Sequence, residues 1–549
     1  MTDTKNRSYV HGANHVPLLG QTIGENLRQT VEGKPDSDAL IVCSQKKRYT
    51  WRTLLEAVRV CGRALMARGI QKGDRVGLWS PNRYEWVVLQ YATANIGAIL
   101  VNLNPAYKTA ELEYALQQSG TSLLVYAKQF RTSDFHGMVQ EVRSKCPHLK
   151  EVIALEDGWE ALLQDAGKIS EAQLLEREQS LDPDDAINIQ YTSGTTGYPK
   201  GATLSHNNIL NNGYFIGKTM AFGYDDRVCI PVPFYHCFGM VLGNLACTTH
   251  GACMVIPGEA FDPLAVLEAV QSEKCTALYG VPTMFIAVLD HPRLKEFDVS
   301  KLRTGIMAGS PCPVEVMKKV QTILHMPEVT ICYGMTETSP VSTQTALDDP
   351  LDKRTSTVGR VHPHLEVKVI NPETGQLVPR GSAGELCTRG YSVMLGYWNN
   401  AAGTASAIDA ARWMHTGDLA TLDLDGYLNI VGRIKDMIIR GGENVYPREV
   451  EEYLYTHPAV SDAQVIGVPS EKYGEEVMAW VKLKPGATAD EASLIAHCKN
   501  RISTFKIPRY WKFVDGFPMT VTGKIQKFKM REQSIEDLGL QKAAAVKTA

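Results

Sequence analysis

Nothing in this sequence is apolar for long enough to cross a membrane. The most apolar run, residues 86–103, is interrupted by Gln90, Thr93, Asn95 and Asn102, so it reads as a buried helix running into a strand. The first residues, MTDTKNRSYVHG, lack the apolar core of a secretory signal. The last residues, ending KTA, match no simple address or lipid signal. Twelve cysteines are scattered singly, with no CxxC pair and no metal-ligand spacing, which implies reduced thiols in a reducing compartment. No charge of one sign dominates: the net charge is -3, and bulk electrostatics gives no reason to expect a nucleic-acid partner. GxSxG and GxGxxG are both missing, so neither a serine hydrolase nor a dinucleotide fold finds support. A soluble cytoplasmic enzyme is the expectation.

A chain of 549 residues is too long for one core and implies roughly two to four domains or subdomains. From about 38 to 153, short apolar strands (75–79, 99–103, 122–126) alternate with helices (50–68, 83–95, 109–119). The alternation resumes with strands near 228–232, 277–279 and 305–308 and a helix near 263–272. Alternation of this kind means βαβ units and mostly parallel sheets. Two doubly wound layers result, with a ligand crevice expected at their contact. Beyond Arg354, glycines, prolines and short β-rich runs such as 366–370 and 384–388 suggest a small β-barrel subdomain. After Gly432 a last α+β unit begins, with strands near 463–468 and 478–484 and helices near 448–457 and 489–501; GRIKD is the candidate linker.

The chemistry is concentrated at residues 191–201, YTSGTTGYPKG, where four Ser or Thr hydroxyls, three glycines and Lys200 stand together. The run before it, AINIQY, alternates as a half-buried strand does, and Ser205 beyond it can cap a helix. Strand, loop and helix in that order suit phosphate: glycines admit backbone amides, hydroxyls donate and Lys200 supplies charge. It is not a Walker A loop, because Lys200 lies between Pro199 and Gly201.

Residues 333–337, YGMTE, follow the apolar run 329–332. An aromatic ring and a small turn at a strand end can hold a flat base, Thr336 can bond a phosphate oxygen, and Glu337 is a hard oxygen ligand suited to Mg²⁺. Alone, the string is weak, and an ordinary turn is its plainer reading. Residues 413–419, WMHTGDL, put Asp418 after Gly417, where it forms either a ribose contact or an Asx-turn. The glycines of RGGENVYP (440–447) permit close approach of a narrow chain, or simply a tight turn. TGK at 522–524 places Lys524 in a polar turn. PFYHCFG (233–239) sets His236 beside Cys237, a buried neutral histidine being the plainer reading than a nucleophilic pair.

Taken together, TSGTTGxPKG, AGSP, YGMTE, TGD, GRIKD and TGK resemble the adenylate-forming superfamily of acyl-CoA synthetases, luciferases and peptide-synthetase adenylation domains. The resemblance covers about residues 40–530. The segments SYVHG, PLLGQTIGENL, GATLSH, YHC, YGVPTMF and DMIIRGGENVYP are most similar to medium-chain fatty acyl-CoA synthetases of the mitochondrial-type branch. It implies an α/β protein with a large N-terminal domain (1–432), a hinge (433–436, pivot Lys435) and a small mobile C-terminal domain (437–549). It implies ATP contacts from Thr192, Ser193, Gly194, Thr195, Thr196, Gly197, Lys200, Gly309, Ser310, Pro311, Tyr333, Gly334, Thr336, Asp418, Arg433 and Lys524. Glu337 would hold Mg²⁺. His236, Gly280, Val281, Met307, Gly334, Met335 and Val341 would line the acyl pocket. Arg440, Gly441, Gly442, Lys472 and Lys506 would meet CoA, and Lys524, Lys200, Glu337, Thr336 and His236 would carry catalysis.

The implied reaction joins a fatty acid to CoA through an acyl-adenylate, consuming ATP and releasing AMP and pyrophosphate, in a monomer or homodimer. The nearest rival is an aryl- or short-branched-acid CoA ligase, although GVPTMF, MAGSP and GMTETSPV are mostly small and apolar, which suits an alkyl chain. A rival of another class is a nucleotide-binding regulatory protein without turnover, against which the presence of Lys524, Glu337 and Lys200 argues.

Overall fold

The computed structural model describes residues 6–192, 199–310, 312–441, 443–470, 472–499, 501–520 and 525–544. Ser193, Gly194, Thr195, Thr196, Gly197, Pro311, Gly442 and Lys524, all expected at the site, lie outside the described residues.

Among the described residues, the N-terminal region builds two large sheets. The seven-stranded sheet runs in the order Gly396–Tyr397, Lys200–Ser205, Ala186–Thr192, Ile99–Asn102, Arg75–Trp79, Leu123–Tyr126, Glu151–Ala154, and its last five strands are parallel. The nine-stranded sheet runs Arg360–Val361, Val341–Gln344, Glu328–Gly334, Thr304–Met307, Ala277–Gly280, Arg227–Cys229, Cys253–Ile256, Asp38–Val42, Lys47–Thr50. Six of its strands, from Glu328–Gly334 to Asp38–Val42, are parallel. Parallel strands need crossover helices on their faces, which is why strand and helix alternate in the sequence.

The helix Tyr84–Ile96 is buried on every side. Its polar residues are paired to the neighbouring segment Phe238–Leu245, with Gln90 Nε2 donating to the Met240 carbonyl at 3.1 Å and Tyr91 Oη to that of Asn244 at 3.1 Å. Those bonds explain how a run broken by polar residues is nonetheless core: Gln90 and Tyr91 are buried with partners for their side chains.

The strand Ala186–Thr192 departs from the half-buried expectation, because its polar residues are buried too. Asn188 Nδ2 donates to the Leu100 carbonyl at 3.1 Å, and Gln190 Oε1 accepts from Cys237 Sγ at 3.1 Å. Its alternation marks two buried faces, one of them polar and hydrogen-bonded.

The loop after this strand does not lead into a helix. Lys200–Ser205 returns antiparallel beside Ala186–Thr192, setting Thr192 opposite Lys200, and the helix His206–Thr219 starts only at the far end, capped by Ser205 Oγ accepting from Asn208 N at 3.2 Å. The described strands on either side of the loop are therefore hairpin partners, and the helix His206–Thr219 follows the second strand rather than the loop.

The β-rich region is a five-stranded antiparallel sheet, Tyr9–His11, Leu365–Ile370, Gly384–Gly390, Met414–Leu422, Leu428–Arg433. The last sheet runs Glu443–Val445, Ile438–Arg440, Gly474–Leu483, Val460–Ser470, with Tyr510–Phe513 beside Gly474–Leu483. It has its own apolar core around Val450, Leu454, Val465 and Val477. Between these two sheets lies the turn Ile434–Asp436, on which Lys435 is exposed. Among the described residues no helix is long and apolar enough to cross a membrane.

Candidate active site

Three neighbouring parallel strands of the nine-stranded sheet end together. Gly280 is paired with Met307, and Met307 with Ile331, so GVP, AGS and YGMTE emerge side by side at the carboxyl edge, where open α/β sheets bind ligands. Gly309 takes φ +91°, a left-handed backbone that favours glycine, and a Cβ there would stand 3.2 Å from Val281 Cγ1. Gly334 is required for a different reason: a Cβ there would come within 1.6 Å of the Pro340 carbonyl oxygen, because the chain doubles back through the short turn Thr336–Thr338.

That turn buries Glu337, 5% exposed, against the hairpin of the Gly/Ser/Thr loop. Glu337 Oε1 accepts from Thr192 Oγ1 at 3.2 Å and from Tyr397 Oη at 2.9 Å, and its carbonyl accepts from Met394 N at 2.9 Å. Burial and the Glu337 charge push the Tyr397 hydroxyl far up, so it stays a donor at any physiological pH. Lys200 Nζ lies 5.1 Å from the centre of the Tyr397 ring. The two ends of the loop and the carboxylate thus converge on Tyr397. Sequence reasoning missed this residue, since only its long-range contacts distinguish it from other aromatics.

A second constellation sits at the edge of the five-stranded sheet. Asp418 is the register partner of Arg433, whose Nε lies 3.0 Å from Asp418 Oδ1. Tyr333 Oη donates to Asp418 Oδ2 at 2.6 Å. Burial works against the Arg433 charge, but Asp418 and its acidic neighbours outweigh it and hold the guanidinium above its ordinary value. Burial, then Asp418, push the Tyr333 hydroxyl up. An aromatic ring, a carboxylate and a guanidinium are therefore joined across two sheets, suiting a base and its sugar.

The acyl-pocket residues divide. Val281, Met335 and Val341 pack on the face between the two large sheets, together with Tyr279 and Ala308. Met307 packs on the other face, among Leu278, Val329 and Met317, and is not brought together with them. His236 is partly exposed and its Nδ1 accepts from Phe238 N at 3.2 Å. Cys237 is fully buried, and burial pushes its thiol up, which removes it as a nucleophile.

A cavity of about 240 Å³ adjoins the histidine segment, lined in part by Pro233, Tyr235, Phe261, Met284, Arg131 and Thr520. Thr520 comes from the C-terminal region. It begins the TGK loop, whose flanks are tied by a bridge between Met519 and Ile525 and by Gln526 N donating to the Pro518 carbonyl at 2.8 Å. Thr520, on the N-terminal side of that loop, thus stands at the N-terminal cleft.

In the C-terminal domain Arg440, Gly441 and Lys472 gather on Tyr473. The Arg440 guanidinium and Lys472 Nζ stand 4.5 and 4.7 Å from the ring centre, and Gly441 N donates to the Tyr473 carbonyl at 2.8 Å. A hydrogen bond from Lys472 and its charge, then the charge of Arg440, lower the Tyr473 hydroxyl from its ordinary value. Arg440 also clamps the buried Glu476, with Nε 2.6 Å from Oε2. Lys506 is separate, paired with Glu449 at 2.6 Å.

Two descriptions match the sequence: "AMP-binding enzyme" over residues 27–398 and "AMP-binding enzyme C-terminal domain" over residues 449–524. The chain is 49% identical over 543 residues to a putative acyl-CoA synthetase, YngI, of Bacillus subtilis, covering 95% of this chain and 99% of that one. It is 43% identical over 558 residues to a mitochondrial medium-chain acyl-CoA ligase, ACSF2, of Danio rerio, covering 98% and 92%. The crystal structure of ATP-bound MatB from Rhodopseudomonas palustris superposes with a TM-score of 0.83 at 31% identity, covering 94% and 99%.

Proposed function

The chain belongs to the AMP-binding enzyme family, and on that premise we propose that it is an AMP-forming fatty acyl-CoA synthetase acting on medium-chain acids. The observation that carries the reading is the pair of constellations built on the two ends of YGMTE: Thr192–Glu337–Tyr397 at the phosphate loop and Tyr333–Asp418–Arg433 beyond it. Their separation along a cleft suits triphosphate at one end and nucleoside at the other. ATP and CoA are substrates, in keeping with relatives named as acyl-CoA ligases.

In the first step the fatty acid carboxylate attacks the α-phosphorus of ATP and pyrophosphate leaves. Tyr333 and Gly334, with Gly309 and Ser310 opposite, hold the adenine; Asp418 and Arg433 take the ribose; Lys200 and the loop hydroxyls hold the outgoing phosphates. Lys524 stabilises charge at the α-phosphate. Glu337 fits a hard cation, since two hydroxyl donors fix its carboxylate at the loop; Mg²⁺ bound there would offset phosphate charge. In the second step the CoA thiolate attacks the acyl carbonyl and AMP leaves. Rotation about Lys435 withdraws Lys524 and brings the Arg440–Gly441 surface to the cleft. An exposed pivot between two separately cored sheets supports that rotation.

Free thiols at all twelve cysteines support a cytoplasmic setting, and we take the enzyme as a monomer or homodimer, which light scattering tests. The deciding assay is AMP release on even-chain acids plus benzoate, with and without CoA. A CoA-dependent maximum at medium length is expected. An aromatic or short-branched preference would replace the substrate, and ATP binding without turnover would replace the activity.

A further inference from the structure

The nucleotide site leaves unused a cluster on the five-stranded sheet. Glu385 and Cys387 lie on Gly384–Gly390 and His415 on Met414–Leu422, with Cys387 and His415 as register partners. A carboxylate oxygen of Glu385, the Cys387 sulfur and a ring nitrogen of His415 all lie within 4.8 Å of one another. His415 Nδ1 is 3.0 Å from Glu385 Oε2 and 3.6 Å from Cys387 Sγ. Its Nε2 faces Asp409 Oδ2 at 3.7 Å, and Asp409 is itself anchored by the Trp413 amide, which donates to Oδ1 at 2.9 Å.

We propose that Glu385, Cys387 and His415 form a binding site for one divalent cation of the zinc class. Thiolate, imidazole and carboxylate are the three donors such an ion takes. Metal–ligand lengths of about 2.0–2.3 Å in a tetrahedron set the donors roughly 3.3–3.8 Å apart, close to the 3.0 and 3.6 Å spacings already present. Asp409 supplies the outer carboxylate that orients a ligating imidazole, turning Nδ1 toward the ion. Glu385 and Cys387 are buried while His415 is partly exposed, so a path from solvent and a fourth position for water both lie on the His415 side. On binding, the thiol proton passes to solvent. A sulfur donor selects against Mg²⁺, which distinguishes this site from Glu337.

The site is coupled to the nucleotide turn. Glu385 Oε1 accepts from Gly417 N at 3.2 Å, and Gly417, at φ +68°, leads directly into Asp418. Ligation through Oε2 draws charge out of the carboxylate, weakens the bond that Oε1 accepts and loosens the turn that presents Asp418, so occupancy weakens ATP binding. This coupling rests on Asp418 as a nucleotide contact; the metal site does not.

The test is a Co²⁺ titration of the full-length protein, free of phosphate and thiol reductant, followed by the thiolate-to-cobalt charge-transfer band. The band is expected to saturate at one equivalent, to vanish on Zn²⁺ addition, and to be absent in Cys387→Ser and weakened in His415→Gln, with metal-free thermal unfolding of both variants near wild type. No band in the wild type, or a band that survives Cys387→Ser, overturns the site. Acyl-adenylate formation is then followed without CoA, whose thiol would compete for metal. One equivalent of Zn²⁺ is expected to raise the KM for ATP several-fold in the wild type and not in Cys387→Ser, from the weakening of one hydrogen bond to a charged group. An unchanged KM overturns the coupling. Should the enzyme fail to turn over any acid, the cobalt titration still reads the site.

Discussion

Asp418 and Arg433 face each other as register partners at the end of their hairpin, with Arg433 Nε 3.0 Å from Asp418 Oδ1 and Tyr333 Oη 2.6 Å from Oδ2. The carboxylate is 6% exposed and held from both sides, so its orientation is set by the protein alone. Preorganisation of this kind spares the side-chain ordering that binding would otherwise cost.

Asp418→Asn keeps the shape and removes the charge. A hydrogen bond to a charged group contributes about 1.5–3 kcal/mol, so the KM for ATP is expected to rise roughly 10- to 100-fold. Pyrophosphate release against ATP concentration measures it. An unchanged KM would remove Asp418 from the nucleotide site.

Tyr397→Phe deletes one of the two hydroxyls on Glu337 Oε1 and leaves the ring beside Lys200. The Mg²⁺ concentration for half-maximal adenylation is expected to shift about tenfold, the equivalent of about 1.4 kcal/mol. A Mg²⁺ dependence identical to wild type would show that Tyr397 does not position Glu337.

Lys524→Ala is expected to slow acyl-adenylate formation by about 10²–10³ or more, the loss typical of one transition-state donor, while sparing thioester formation from supplied acyl-adenylate. Equal loss in both halves sinks the assignment. Lys435→Pro is expected to do the reverse, impairing the thioester step more than adenylation.

Stability should fall in mild acid because of His206. It is fully buried, its Nδ1 accepts from Ile23 N at 3.2 Å, and its Nε2 has no hydrogen-bond partner among the described residues. Burial lowers its pKa to about 3, against a smaller opposing pull from Asp185. The unfolded chain therefore takes up a proton near pH 6.5 that the folded chain refuses until about pH 3. Stability is complete above pH 6.5 and declines as pH falls toward 3, by about 2 kcal/mol at pH 5 from this residue. His206→Asn should flatten the fall in Tm between pH 7 and 5; an unaltered slope would locate the acid sensitivity elsewhere.

Asn212 tests how the YGMTE turn is held. Its side chain accepts from Val341 N at 3.1 Å and donates to the Val341 carbonyl at 2.8 Å, completing the edge of a strand from inside a helix. Asn212→Leu orphans both backbone groups at about 1–3 kcal/mol each. A lowered denaturation midpoint with an unchanged m-value is expected; wild-type stability would refute the role.

Many of the elements were legible in the sequence alone, and its motifs named the loops where chemistry is expected. The helix Pro263–Ser272 and the strand Arg75–Trp79 occupy the residues their patterns indicate, because local periodicity and turn chemistry depend on near neighbours alone. Motif order likewise pointed to Asp418, Arg433 and Glu337. Tertiary structure decided what those residues touch. The hairpin return of Lys200–Ser205 is a pairing choice that a strand-like or helix-leading run expresses equally well. The side of the sheet that buries Met307 depends on register, where one residue flips every side chain. Tyr397 lies 60 residues from the carboxylate it holds, and the partners of Asn212 and Cys387 lie 129 and 28 residues away. Such contacts exist only once the sheets have closed, since the burial that fixes them is a property of the packed layers and of no single segment.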